Sequence, residues 1–123
     1  MKIKLLVVAI TVFAGAILGA PTLAEAQEVG SEIQDVSVNV TSIRVNRFND
    51  VRVYLDSAIT CGSYSGSTNT PYILDNHIGA EQKDMLLRVL MSAFLAGREV
   101  QLSVIRFDTG STQYCGIRRV RIL

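Results

Sequence analysis

The chain has 123 residues, twelve basic against eleven acidic side chains, one histidine and two cysteines. That length accommodates one domain, and a charge balance this near zero leaves no global basic field to attract nucleic acid or anionic lipid. The hydrophobic share of 49% is inflated by the first segment, which has to be read apart from the rest.

Lys2 and Lys4 form a short positive start, followed by an apolar stretch from Leu5 to about Ala20 that only Thr11 and small glycines interrupt. A more polar run ends in Ala24-Glu25-Ala26, the small-x-small form that signal peptidase accepts. The apolar run falls short of the roughly 20 residues that span a bilayer, and Pro21 ends its helix. A signal peptide over 1–26 is therefore expected, with cleavage after Ala26. Removing Lys2, Lys4 and Glu25 leaves ten basic and ten acidic residues, so the mature domain is neutral.

Residues 27–34 are polar with one glycine and read as a flexible leader, ahead of a domain over 35–123. Val36, Val38 and Val40 alternate with Ser37, Asn39 and Thr41, the pattern of a half-buried strand. The parity flips at Ile43 and Val45, which calls for a bulge near Thr41-Ser42. Asn46 to Asp50 reads as a hairpin turn with Asn49-Asp50 as its turn residues. Val51, Val53 and Leu55 then give a second strand running on towards Cys61. Gly62 to Thr70 is a flexible polar loop ended by Pro71, and Tyr72-Ile73-Leu74 can form a short third strand.

From Ala80 to Ala96 there is neither glycine nor proline, and Leu86, Val89, Leu90, Ala93 and Phe94 recur at helical spacing. All five are expected to face the core. Gly97 sits where a left-handed C-terminal cap belongs. Val100, Leu102 and Val104 make a fourth strand to about Phe107, Asp108 to Ser111 a turn, and Cys115 opens the last strand. The order β-β-β-α-β-β predicts an all-β barrel with one helix, a five-stranded Greek-key barrel of OB type.

Cys61 and Cys115 both lie in the exported part, where an even pair most simply means a disulfide. It would close a long loop, worth on the order of 4 kcal/mol in the chain-entropy model, and a domain this small needs such a staple. The alternatives are a metal pair, for which His77 is the single histidine, or a redox pair, for which CxxC is missing.

The passage from Met85 to Leu102, MLLRVLMSAFLAGREVQL, resembles the matching part of the B subunits of subtilase cytotoxin and of many small exported bacterial proteins. In that group an Ala- and Leu-rich helix ends in a glycine cap, a basic residue and a valine strand follow, and a cysteine precedes the final strand. Val40 to Ile43, followed by a hairpin into Val53-Tyr54-Leu55, is compatible with the same group. The resemblance covers roughly residues 36–123. It implies an OB-fold subunit that forms a pentameric ring and binds sialylated glycans. The family's glycan-contacting serine has no securely matched position, so no binding residue is carried over.

No catalytic motif stands out. His77 lies just before the helix with no nucleophile motif around it, where a solvated or capping role is expected; Asp75 and Asp84 form no acid-base pair; Gly62 and Gly66 lack the Lys and helix of a phosphate loop. The polar loop and its border carry Tyr64, Asn69 and Tyr72. Planar hydrogen-bonding groups beside aromatic rings suit sugars, while a solvated connection is the plainer reading of the same loop. Arg119 and Arg121 fall on an outward face beside Arg118 and read as a solvated edge rather than a nucleic-acid site. Asn39-Val40-Thr41 fits the glycosylation pattern inside a strand and reads as incidental.

The expectation is an exported, non-enzymatic binding or interaction protein, periplasmic or secreted, with no cofactor and no metal. Its partner would be a glycan or another exported protein, without nucleic acid and without a membrane span after cleavage, and homo-oligomers remain open. The alternative is a toxin-type, glycan-binding subunit that forms a ring.

Overall fold

The computed structural model describes residues 27–30, 32–46 and 50–123. The signal segment expected over 1–26 and the turn residue Asn49 lie outside them. The described chain is mostly β with one long helix. Its strands are β1 (Gln27–Glu28), β2 (Gln34–Val38), β3 (Val40–Val45), β4 (Val51–Leu55), β5 (Ile59–Thr60), β6 (Ser67–Thr68), β7 (Tyr72–Ile73), β8 (Val100–Thr109) and β9 (Thr112–Ile122). A one-turn helix α1 (Asp75–Ile78) precedes α2 (Ala80–Ala96). The leader region thus carries a two-residue strand, β1, paired to β8.

The main sheet runs β1-β8-β9-β7-β4-β3, with β2 also on β8. Every pairing in it is antiparallel except β7 with β9, which meet in parallel at Tyr72 and Gly116. It does not close into one hydrogen-bonded ring. The parity change lies where the valine pattern demands it: β2 and β3 part at Asn39, and the β3–β4 register shifts between Val40 and Ser42. Asp56 holds this corner. Its Oδ1 accepts from the Asn39 backbone N–H at 3.1 Å, its Oδ2 from the Asn39 amide at 3.3 Å, and its own N–H donates to the Asn39 carbonyl. Segment 34–45 thereby reaches two sides of the sheet, β2 on β8 and β3 on β4.

The second strand stops at Leu55 rather than running to Cys61, because Asp56 is engaged at the corner. Ile59–Thr60 pairs instead with Ser67–Thr68 in a separate small hairpin. The last strand begins earlier than Cys115. The β8–β9 ladder continues to the Thr109–Thr112 pair, and Gly110 supplies the positive φ of the tight turn between them.

α2 has the expected bounds and ends on Gly97 at φ 64°, whose N–H reaches the carbonyls of Ala93 and Phe94. Its core-facing arc is Leu86, Leu90 and Ala93, with Val89 half-buried. Phe94 corrects the expectation, for it is 40% exposed. It follows Ala93 by one residue, about 100° further round the helix, and so leaves the sheet. Lys83 lies buried on the inner arc and its Nζ meets Asp75 at 2.7 Å.

The inner core gathers Val38, Val40, Val51, Val53, Leu55, Ile59, Ile73, Leu86, Leu90, Val100, Leu102, Val104 and Ile117 around the bonded cysteines. Cys61 and Cys115 form the disulfide, with Cα atoms 5.8 Å apart, inside the range such a bond requires. It is the covalent mark of a chain that folds outside a reducing compartment. No helix among the described residues is long and apolar enough to cross a membrane.

Candidate functional site

Alternation sorts the strand residues onto two faces. Val51, Val53, Ile73, Val104, Cys115 and Ile117 point inward. Their neighbours Arg52, Tyr72, Ile105, Phe107, Tyr114 and Gly116 occupy the outer face. The pairs Ile105–Gly116 and Phe107–Tyr114 sit directly opposite each other, and Tyr72 lies between Arg52 and Gly116.

On that face the aromatic rings form one continuous strip. The Arg52 guanidinium lies over Tyr72 at 4.6 Å. Tyr72 meets Tyr114 edge to face at 5.1 Å, and Tyr114 stacks on Phe107 at 5.3 Å. Phe107 in turn stacks on His77, with centroids 4.2 Å apart and planes 6° from parallel. The upper members, Arg52, Tyr72 and Tyr114, are half-exposed, whereas Phe107 is fully buried beneath them. Gly116 makes the arrangement possible: a Cβ there would stand 2.4 Å from the Phe107 ring and 2.8 Å from that of His77.

His77 is therefore not the solvated or capping residue expected; its side chain is 1% exposed. α1 swings the ring over β8 and β9, and stacking on Phe107 removes it from water. Its Nε2 lies 2.9 Å from Glu28 Oε2, and the Arg118 Nε forms an ion pair with the same oxygen at 3.2 Å. Its buried Nδ1 has no hydrogen-bond partner among the described residues. Burial is the main influence on the imidazole and pushes its pKa below the ordinary histidine value. The Glu28 hydrogen bond and charge oppose this, and the nearby Arg118 charge adds to it.

The loop residues expected to bind ligand go to separate places. Tyr72 joins the strip. Tyr64 is half-buried against the margin of the inner core. Asn69 is exposed and its backbone carbonyl accepts from Leu55 N–H at 2.9 Å. Among the described residues no ring contact or hydrogen bond links Tyr64 to Tyr72. The loop is also tied down more than its composition suggests. Ser65 N–H donates to Gln113 Oε1 at 3.0 Å, and Arg106 donates to the Ser63 carbonyl at 3.2 Å while its Nε and Nη2 clasp Asp108. Bidentate clasping raises the Arg106 pKa.

Arg52, Phe107, His77 and Tyr114 were missed from sequence. The signal that could have found three of them is strand parity, which puts Arg52, Phe107 and Tyr114 opposite the aliphatic positions; Gly116 inside a strand also marks a close approach. His77 carries no such signal, since only the path of α1 brings it to the sheet.

A groove of about 520 Å³ lies elsewhere, between α2 and β8–β9, with Met85, Val89, Ser103, Arg119 and Arg121 in its walls. Asp35 is there too, accepting from Ser103 Oγ at 2.6 Å. Among the described residues no aromatic ring lines it. The described residues hold no group of three or more His, Cys, Asp and Glu side chains placed to bind a metal. Comparison with family profiles, characterised proteins and solved structures finds no match.

Proposed function

We propose that this chain is an exported binding protein without a reaction of its own, and that its contact surface is the half-exposed Arg52–Tyr72–Tyr114 strip. The observation behind the reading is the strip itself: planar, hydrogen-bonding rings and a guanidinium on an outer sheet face, supported from beneath by Phe107 and His77. Rings held this way lose little entropy on contact, which favours recognition.

The barrel would be of OB type. Counting 34–45 as one strand, the pairings run first with second (β3–β4), second with third (β4–β7), third with fifth in parallel (β7–β9), fifth with fourth (β9–β8) and fourth with first (β8–β2). OB barrels bind ligands on the face of strands 2 and 3, and β4 and β7 carry Arg52 and Tyr72. Periplasm and outer medium both suit the disulfide.

A second reading, a glycan-binding subunit that assembles as a ring, is favoured by the apolar residues α2 leaves in water: Leu95 at 78%, Met91 at 46% and Phe94 at 40% exposed. A glycan array with the purified exported protein, run beside its Tyr72→Ala variant and with sizing by light scattering, tests both. Array binding lost on Tyr72→Ala supports the strip as the site. A signal indifferent to Tyr72 removes it, and a monomer removes the ring.

A further inference from the structure

We propose that the cross-sheet row Arg44–Arg52–Tyr72 binds a linear anionic polysaccharide, laid across β3, β4 and β7. The inference rests on the binding-protein reading above and names its ligand class.

The row is fixed by register. Arg44 is the direct partner of Arg52, and Arg52 of Tyr72. Directly opposed residues project to one face, so the three groups stand in line at the strand spacing of about 4.8 Å. Tyr54 flanks the row, with the Arg44 guanidinium 5.6 Å from its ring centre, and Tyr114 closes the other end against Tyr72. A ligand crossing the strands meets two cations and then an aromatic edge in succession.

Two features of the row ask for an anion. Like charges directly opposite one another are unfavourable in a sheet, yet two arginines occupy that relation here. Among the described residues neither has a carboxylate partner, in contrast with Arg106 on Asp108 and Arg118 on Glu28. Anions bridging Arg44 and Arg52 would neutralise the pair.

A saccharide polymer fits the row, because the disulfide suits an oxidising compartment and ring hydroxyls suit tyrosine edges. Repeating carboxylates or sulfates fit a row of cations better than one terminal charge does.

The test is titration of the purified exported protein, immobilised at low salt, with dextran sulfate, polygalacturonate, neutral dextran and a single-stranded thymidine oligonucleotide. Both charged polysaccharides should bind and neutral dextran should not, and binding should weaken as salt rises. Arg52→Gln should weaken it roughly 10-fold or more, and Arg44→Gln should weaken it to a smaller extent. Arg119→Gln, on the remote groove, should leave it unchanged. Arg52→Lys retains the charge but not the flat guanidinium and should fall between parent and Arg52→Gln, which separates loss of binding from loss of fold. Affinity indifferent to both row arginines, or an oligonucleotide bound more tightly than either polysaccharide, overturns the proposal. A neutral glycan whose binding is lost on Tyr72→Ala but not on either arginine variant overturns it too while leaving the binding-protein reading in place; no probe bound at all, or binding unchanged by Tyr72→Ala and by both arginine variants, removes both.

Discussion

On the inner face of the sheet Val51, Val53, Ile73, Val104 and Ile117 pack with Leu86 and Leu90 of α2 around a buried disulfide. On the outer face, one residue along each strand, stand Arg52, Tyr72, Phe107, Tyr114 and, from α1, His77. The inner set is aliphatic and non-directional, and every atom of it gains by leaving water. The outer set is directional and half-wet at its upper end, and among the described residues its buried Arg52 Nε and His77 Nδ1 have no hydrogen-bond partner. A small domain can separate holding itself together from meeting a ligand by using the two sides of one sheet. The larger share of the stability should then come from the inner face, with recognition proposed for the outer.

The largest effect expected is on the inner side. Cys61→Ser with Cys115→Ser opens a connection spanning 54 residues in sequence and should cost about 4 kcal/mol. Urea melts of parent and double variant measure it, and a loss below ~1 kcal/mol would mean the inner core stands without its staple. Leu90→Ala should cost about 2–5 kcal/mol, since Leu90 is fully buried. Phe94→Ala, four residues on but facing water, should stay under about 1 kcal/mol. Equal losses would show that α2 is rotated from the orientation described.

Gly116→Ala tests the outer side from beneath. The added methyl would push into the Phe107 ring, and overpacking of this kind costs about 1–3 kcal/mol. Near-ultraviolet circular dichroism should change along with the melt, because Tyr114 and His77 both lean on Phe107. An unchanged aromatic spectrum would separate Gly116 from the strip.

The smallest effect is on pH dependence. The folded His77 pKa is depressed, mainly by burial, so the unfolded chain takes up the proton first. The stability this residue contributes is complete above the unfolded value of about 6.5 and is lost as pH falls through the lower folded value. His77→Gln should flatten stability across that window. Glu28→Asn, which removes a carboxylate that raises the pKa, should lower it further in the folded protein. Since His77 is the single histidine, its proton resonances report it directly. A folded pKa at or above 6.5 would contradict the buried stack.

Period alone made the inner face readable. The valine alternation of β2 to β4, the glycine-free helix and its Gly97 cap, and the paired cysteines all follow from local rules. Phe94 was misplaced because a wide apolar stripe does not say which edge meets the sheet; the end of α2 turns Ala93 inward and leaves the larger ring outside. The outer strip was legible only in part. Tyr72 stood out beside a polar loop, and parity could have exposed Arg52 and Tyr114. The row they make needs the parallel pairing of β7 with β9 and the long β8–β9 ladder, contacts between residues far apart in sequence that no local pattern encodes. His77 depends on the path of a one-turn helix, and Tyr64 was drawn into the inner margin because it follows the buried Cys61 so closely.

Amide chemical-shift mapping of the purified protein titrated with a short polygalacturonate tests the division between the faces most directly. The expected result is a set of perturbed resonances centred on Arg44, Arg52, Tyr54, Tyr72 and Tyr114, with the inner strand positions and the groove beside α2 unmoved. Perturbations gathered instead on Met85, Val89, Arg119 and Arg121 would place recognition in the groove and contradict the account.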